Sequence, residues 1–83
     1  MYSKKQFGQD LKEKTAKREQ IAHIGRWAHN LYYERMSEID AIAGLRRLLI
    51  QLGTMEMGPE FERSYEELDQ IADRLIAGED VKL

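Results

Sequence analysis

Apolar residues recur at three- and four-residue spacing along the whole chain, and no stretch alternates with period two over a useful length. No Asn-Gly or Asp-Gly pair marks a hairpin. The pattern predicts an all-α protein of four helical segments. The first runs over 4–17, opened by a Ser3-x-x-Gln6 capping box and carrying Phe7 and Leu11, with Thr15 extending their row. The second runs over 18–35, with Ile21, Ile24, Ala28, Leu31 and Tyr32 on one face and Trp27 beside it. The third follows Ser37 as N-cap, with the stripe Ile39, Ile42, Leu45, Leu49 and Leu52, and with Gly53 placed for the C′ position. After a connection over 54–63, a second capping box, Ser64 with Glu67, opens the fourth, whose face is Tyr65, Leu68, Ile71, Ala72, Leu75 and Ile76 and whose end is Gly78. Short connections favour antiparallel neighbours, so the expected architecture is a small antiparallel bundle of three to four helices. Only two large apolar residues support the first segment and Gly8 weakens it, so residues 1–17 are expected to dock loosely. Gly25, inside the second, marks a place where another helix comes close.

Eighty-three residues make one domain, 1–83, with a core too small to wall a deep pocket on all sides. This size favours a binding module over an enzyme. With no cysteine, disulfides and thiolate metal sites are excluded. The start, MYSKKQFGQD, has no apolar segment of a signal peptide, and no apolar run approaches the ~20 residues of a membrane span. A cytoplasmic location is expected.

Charge changes the picture more than composition does. The net charge is −2, but residues 1–18 hold six cations and two acids, 19–53 hold four of each, and 54–83 hold three cations and nine acids. Either the two ends attract each other, within the fold or across a dimer, or the acidic third is displayed to a basic partner. Glu66, Glu67 and Asp69 lie at the start of the fourth helix, where its dipole favours negative charge. That account does not reach Glu56, Glu60 and Glu62 before the helix, nor Asp73, Glu79 and Asp80 after its first turns.

The residues assign no catalytic role and no cofactor. The acids alternate with arginine and polar residues, unlike a general acid held in an apolar pocket. No calcium-loop or Glu-x-x-His pattern is present, so no metal site is expected. His23 and His29, six apart on one helix, cannot chelate together, and His23 is placed to stack on Trp27. Tyr32 and Tyr33 cannot both face inward, so one of them is exposed, and Met55 and Met57 read as adaptable packing at the bundle end. Lys4, Lys5, Lys12, Lys14, Lys17 and Arg18 could meet phosphates, but "REQIAHIGRWAHNLYY" continues as one helix where a helix-turn-helix needs a turn.

Residues 27–76, with "WAHNLYYE", a leucine-rich helix and then "MEMGPEFERSYEELDQIADRL", resemble colicin D-type and contact-dependent-inhibition immunity proteins, small acidic helical inhibitors of bacterial nuclease toxins. The basic start of the chain departs from that style. The resemblance implies a non-enzymatic inhibitor that fills a nuclease's phosphate-binding cleft with carboxylates. Glu60, Glu62, Glu66, Asp69 and Asp73 would then make the contact, with Phe61 or Tyr65 as apolar anchor. Two other readings stay open, a homo-oligomeric helical module and a nucleic-acid-binding regulator.

Overall fold

The computed structural model describes residues 2–83. Among them are five α-helices and no strand: α1 Lys4–Ala16, α2 Ile21–Glu34, α3 Met36–Asp40, α4 Leu45–Gly53 and α5 Tyr65–Ile76. Short 3₁₀ turns at Thr54–Glu56 and Pro59–Phe61 join α4 to α5. No helix among the described residues is long and apolar enough to cross a membrane.

Both serine caps form. The Ser64 hydroxyl accepts from the Glu67 amide at 3.1 Å, and the Ser64 amide donates back to the Glu67 carboxylate at 3.3 Å, completing the box. At α1 only half of it forms. Ser3 accepts from the Gln6 amide at 3.1 Å, but the Gln6 side chain donates to Asp10 one turn on, at 2.9 Å. Gly78, at φ +85°, ends α5 in the left-handed conformation that favours glycine.

The third segment departs from expectation. Its apolar stripe spans two helices, because the chain turns at 41–44 with Gly44 at φ +80°. Ile39, Ile42 and Leu45 are spaced by three, a spacing that a turn satisfies as well as a helix does, and the Leu45 amide closes the turn on the Ile42 carbonyl at 3.2 Å. Ser37 lies inside α3 rather than capping it. Gly53 is helical, at φ −60°, and the chain runs on from it into the first 3₁₀ turn. Its small size serves packing, since an added Cβ would stand 3.3 Å from the His29 Cβ.

α1 is not a loose arm. It packs along α5 while α2 packs along α4. Phe7, Leu11 and Thr15 are fully buried, and Phe7 stacks on Trp27 with centroids 5.1 Å apart and planes 8° from parallel. The Lys14 ammonium stands 4.9 Å from the Trp27 centroid, so α1, not His23, supplies the partners of that indole. Tyr2 is buried too. Its amide donates to Glu38 at 3.2 Å and its hydroxyl to Asp10 at 3.2 Å, with the Arg35 guanidinium 5.3 Å from its ring. Burial first, and the Asp10 charge next, push the phenol well above its ordinary range and keep it a donor. The radius of gyration, 11.5 Å, matches the ~12 Å of a compact chain of this length with no segment splayed out.

Gly8 and Gly25 are where backbones meet. A Cβ on Gly25 would lie 3.0 Å from the Glu56 amide and 3.1 Å from the Leu52 carbonyl. A Cβ on Gly8 would lie 2.9 Å from the Ala72 carbonyl and 2.9 Å from the Leu75 Cβ. Gly8→Ala therefore sets two effects against each other. Helix propensity favours alanine by about 1 kcal/mol. Overpacking against a backbone that cannot swing aside costs about 1–3 kcal/mol. The second is expected to win, so the urea midpoint of Gly8→Ala falls below that of the wild type; a raised midpoint would contradict the close approach.

Candidate partner-binding surface

The acidic third divides into two groups according to what α1 does. Lys12 pairs with Asp73, and Lys4 pairs with Asp80. The bond to Asp73 raises the Lys12 ammonium above its usual range, and the bond from Lys4 holds the Asp80 carboxyl below its own. The Thr15 hydroxyl, 2.9 Å from the Lys12 carbonyl, donates to the Asp69 carboxylate. Lys14 meets Glu19 at 3.5 Å and Lys17 meets Glu13 at 2.9 Å. The lysine-rich start thus faces the acidic end within one molecule. Exposed pairs of this kind contribute about 0–1 kcal/mol each, so they orient α1 on α5 more than they hold it there.

Of the seven partner-contact residues read from the sequence, three point into this contact. Asp69 and Asp73 carry the bonds just described. Tyr65 is half-buried, and its hydroxyl donates to the Glu19 carbonyl at 2.7 Å, with the Arg18 guanidinium 4.9 Å from its ring. There it braces the corner between α1 and α2, where Arg18 takes φ +53°.

The other four are on the outside, within seven residues of one another along the chain. Glu60, Phe61 and Glu62 belong to or follow the second 3₁₀ turn, and Glu66 lies in the first turn of α5; all four are exposed. None of the three glutamates forms an ion pair among the described residues. Arg63, the single cation between 57 and 66, is 3.6 Å from Glu67 and committed to it. The Glu60 carboxylate folds over Gly58, where a Cβ would stand 2.8 Å from its oxygen. Phe61 is 44% exposed and Met57 70%, the largest exposure among the described large apolar side chains. Met55 is buried, so the two methionines that read alike do different things. Met57 belongs to the surface, and its sequence signal is its place between Glu56 and the Gly58-Pro59 turn, outside any helical face.

The segment 57–66 is shaped by its connections. Pro59 opens a 3₁₀ turn, for which its fixed φ suits it, and the Ser64 box starts α5 three residues after that turn ends. Two unpaired carboxylates flank an exposed phenylalanine in the chain, and an exposed methionine precedes them by three residues, so this segment presents both acidic and apolar groups to solvent. Such a surface can accept hydrogen bonds from arginine or lysine and bury an aromatic side chain. No group of three or more His, Cys, Asp or Glu side chains that could hold a metal ion occurs among the described residues. The chain matches no family model, no curated protein and no solved structure.

Proposed function

We propose that the chain is a non-enzymatic binding protein of the immunity type, which masks the basic active site of a nuclease toxin with residues 57–66. The small antiparallel bundle expected from the sequence serves as its scaffold. The observation that carries the reading is the exposed Phe61 between Glu60 and Glu62, carboxylates left without a cation by a fold that engages Asp69, Asp73 and Asp80. The contact is narrower than the charge map suggests: Glu60, Phe61, Glu62 and Glu66, with Met57 added, carry it, while Tyr65, Asp69 and Asp73 hold α5 to α1 and the corner after it. Opposed fields would steer a cationic cleft onto this surface and speed encounter. A nucleic-acid partner, by contrast, would have to compete with the pairings that occupy Lys4, Lys12, Lys14 and Lys17.

The test is capture from the source cell with the full chain immobilised. The expected product is one basic protein, eluted by a moderate rise in salt, whose nuclease activity in the eluate is inhibited by adding the chain back. Recovery of no cationic protein, or of one whose nuclease activity the chain leaves unchanged, overturns the reading.

A further inference from the structure

The three most exposed large apolar side chains among the described residues are Met57 at 70%, Tyr33 at 61% and Ile50 at 48%. All three lie along the seam that α2 makes with α4 and with the 3₁₀ turn after it. Contacts down that seam set their order. Gly25 lies against Leu52 and Met55, and His29 lies against Gly53. Burial raises the Tyr32 phenol and the Arg46 charge opposes the rise, which places Arg46 beside it. On α2, Tyr33 is one turn past His29, with ring centroids 4.9 Å apart. On α4, Ile50 is one turn past Arg46, and Gly53, Thr54 and Met57 keep right-handed helical dihedrals, so the row runs on to Met57. The face has an apolar middle, Arg46 at one end, and at the other Glu60, whose carboxylate folds over Gly58 beside Met57. Neither charge has an ion partner among the described residues. The charges around them are engaged or turned away. Asp40 accepts from the Tyr32 hydroxyl at 3.2 Å, and Glu56 meets Arg26 at 3.7 Å. Glu34 borders Trp27 and Leu31 on the side of α2 away from α4, and Arg47 borders the tail with Lys82 and Leu83.

We propose that this face binds a second copy of the chain across a twofold axis, with Tyr33 and Ile50 of the two copies packed together and Arg46 of each set against Glu60 of the other. Charge complementarity selects the occupant. A lone cation and a lone carboxylate at opposite ends of one apolar row both find complements in a copy turned end for end, which is the self-complementary pattern of a twofold interface. A nucleic acid fits poorly. Its affinity grows with the number of phosphates neutralised, and this face offers one free cation and a carboxylate that repels the backbone. Size agrees with pairing. The molecule measures 30 × 24 × 21 Å, so one broad face approaches the ~800 Å² per partner of a standard interface only when both charged ends take part. Met57 and Glu60 belong also to the surface proposed for a basic partner, so pairing and capture of that partner exclude one another at that end. The pairing is read on the chain alone and does not rest on the function proposed above.

The experiment is sedimentation equilibrium of the full chain at low salt, from micromolar to millimolar concentration. A mass rising from 9.7 kDa toward twice that value, and no further, is expected. Tyr33→Glu with Ile50→Glu, both at exposed positions, should weaken the dimer at least tenfold while helical circular dichroism and the urea midpoint hold. Arg46→Glu alone should weaken it at least threefold. Adding Glu60→Arg should bring the affinity back to within twofold of the wild type, a rescue that a merely structural role for either residue would not give. A single-chain mass at every concentration, an unchanged dimer in Tyr33→Glu/Ile50→Glu, or no rescue in the charge swap would overturn the pairing. So would a mass that keeps growing past the dimer, the mark of a head-to-tail contact. Saturable binding of a labelled oligouridylate, lost in Tyr33→Glu/Ile50→Glu, would assign the face to nucleic acid and overturn it as well.

Discussion

Replacing Phe7 with alanine is expected to destabilise the protein by about 3–5 kcal/mol. The ring is fully buried, stacks on Trp27, and sits one residue before the glycine that brings α1 against the Ala72 carbonyl. Removing it leaves a cavity between α1, α2 and α5 that none of these backbones can close, because Gly8 already holds α1 at its nearest approach. In a domain whose total stability is about 5–15 kcal/mol, such a loss is a large fraction of the whole. With about 4–8 °C of melting temperature per kcal/mol at this size, the midpoint should fall by roughly 12–40 °C. The near-ultraviolet signal of the single tryptophan, Trp27, should collapse in parallel. Phe61→Ala is the matched control: the same chemical change on a 44% exposed ring should move stability by no more than about 0.5 kcal/mol. If Phe7→Ala shifts the midpoint by less than about 5 °C, α1 contributes little to the fold in solution and is the loose arm after all.

The packing of α1 separates what a chain shows locally from what it withholds. The all-helical class, the Ser64 box, the Gly78 stop and the close approach at Gly25 are local signals, carried by a few neighbouring residues, and each is legible in the sequence. The docking of α1 is not local. Counting large apolar side chains finds only Phe7 and Leu11, while the contact is made by what that count omits: the absence of a side chain at Gly8, the buried hydroxyl of Thr15, and a tryptophan on another helix. The break at Gly44 was hidden by a stripe whose three-residue spacing fits a turn as well as a helix. At the candidate site, the charge map locates the acidic third. It cannot say which acids point at α1, since Glu66 and Asp69 lie on one helix three residues apart and carry the same charge. The pairing of the two ends follows from helix packing, and helix packing was the part that the sequence left open.

Charge reversal at Glu62 and Glu66 together is expected to reduce the affinity for the captured basic partner by at least about 100-fold, some 3 kcal/mol. The stability of the free chain should fall only by about 1 kcal/mol, from a cation in place of Glu66 in the first turn of α5, because neither carboxylate has a cation of its own among the described residues. The comparison that makes this discriminating is Asp73→Lys. It carries a charge reversal of the same kind on the same helix, but it places an ammonium against Lys12 across the α1–α5 contact. If the partner surface is 57–66, Asp73→Lys acts on folding, seen as a lower urea midpoint, and leaves affinity within about threefold once the chain is folded. If the contact extends along α5 as the charge map alone suggests, the two variants lose affinity together. Salt separates the cases further, since the slope of affinity against ionic strength should flatten in Glu62→Lys/Glu66→Lys and not in Asp73→Lys. Affinity within twofold of the wild type in the Glu62/Glu66 variant, with its helical circular dichroism intact, would remove residues 57–66 from the interface and the proposed function with them.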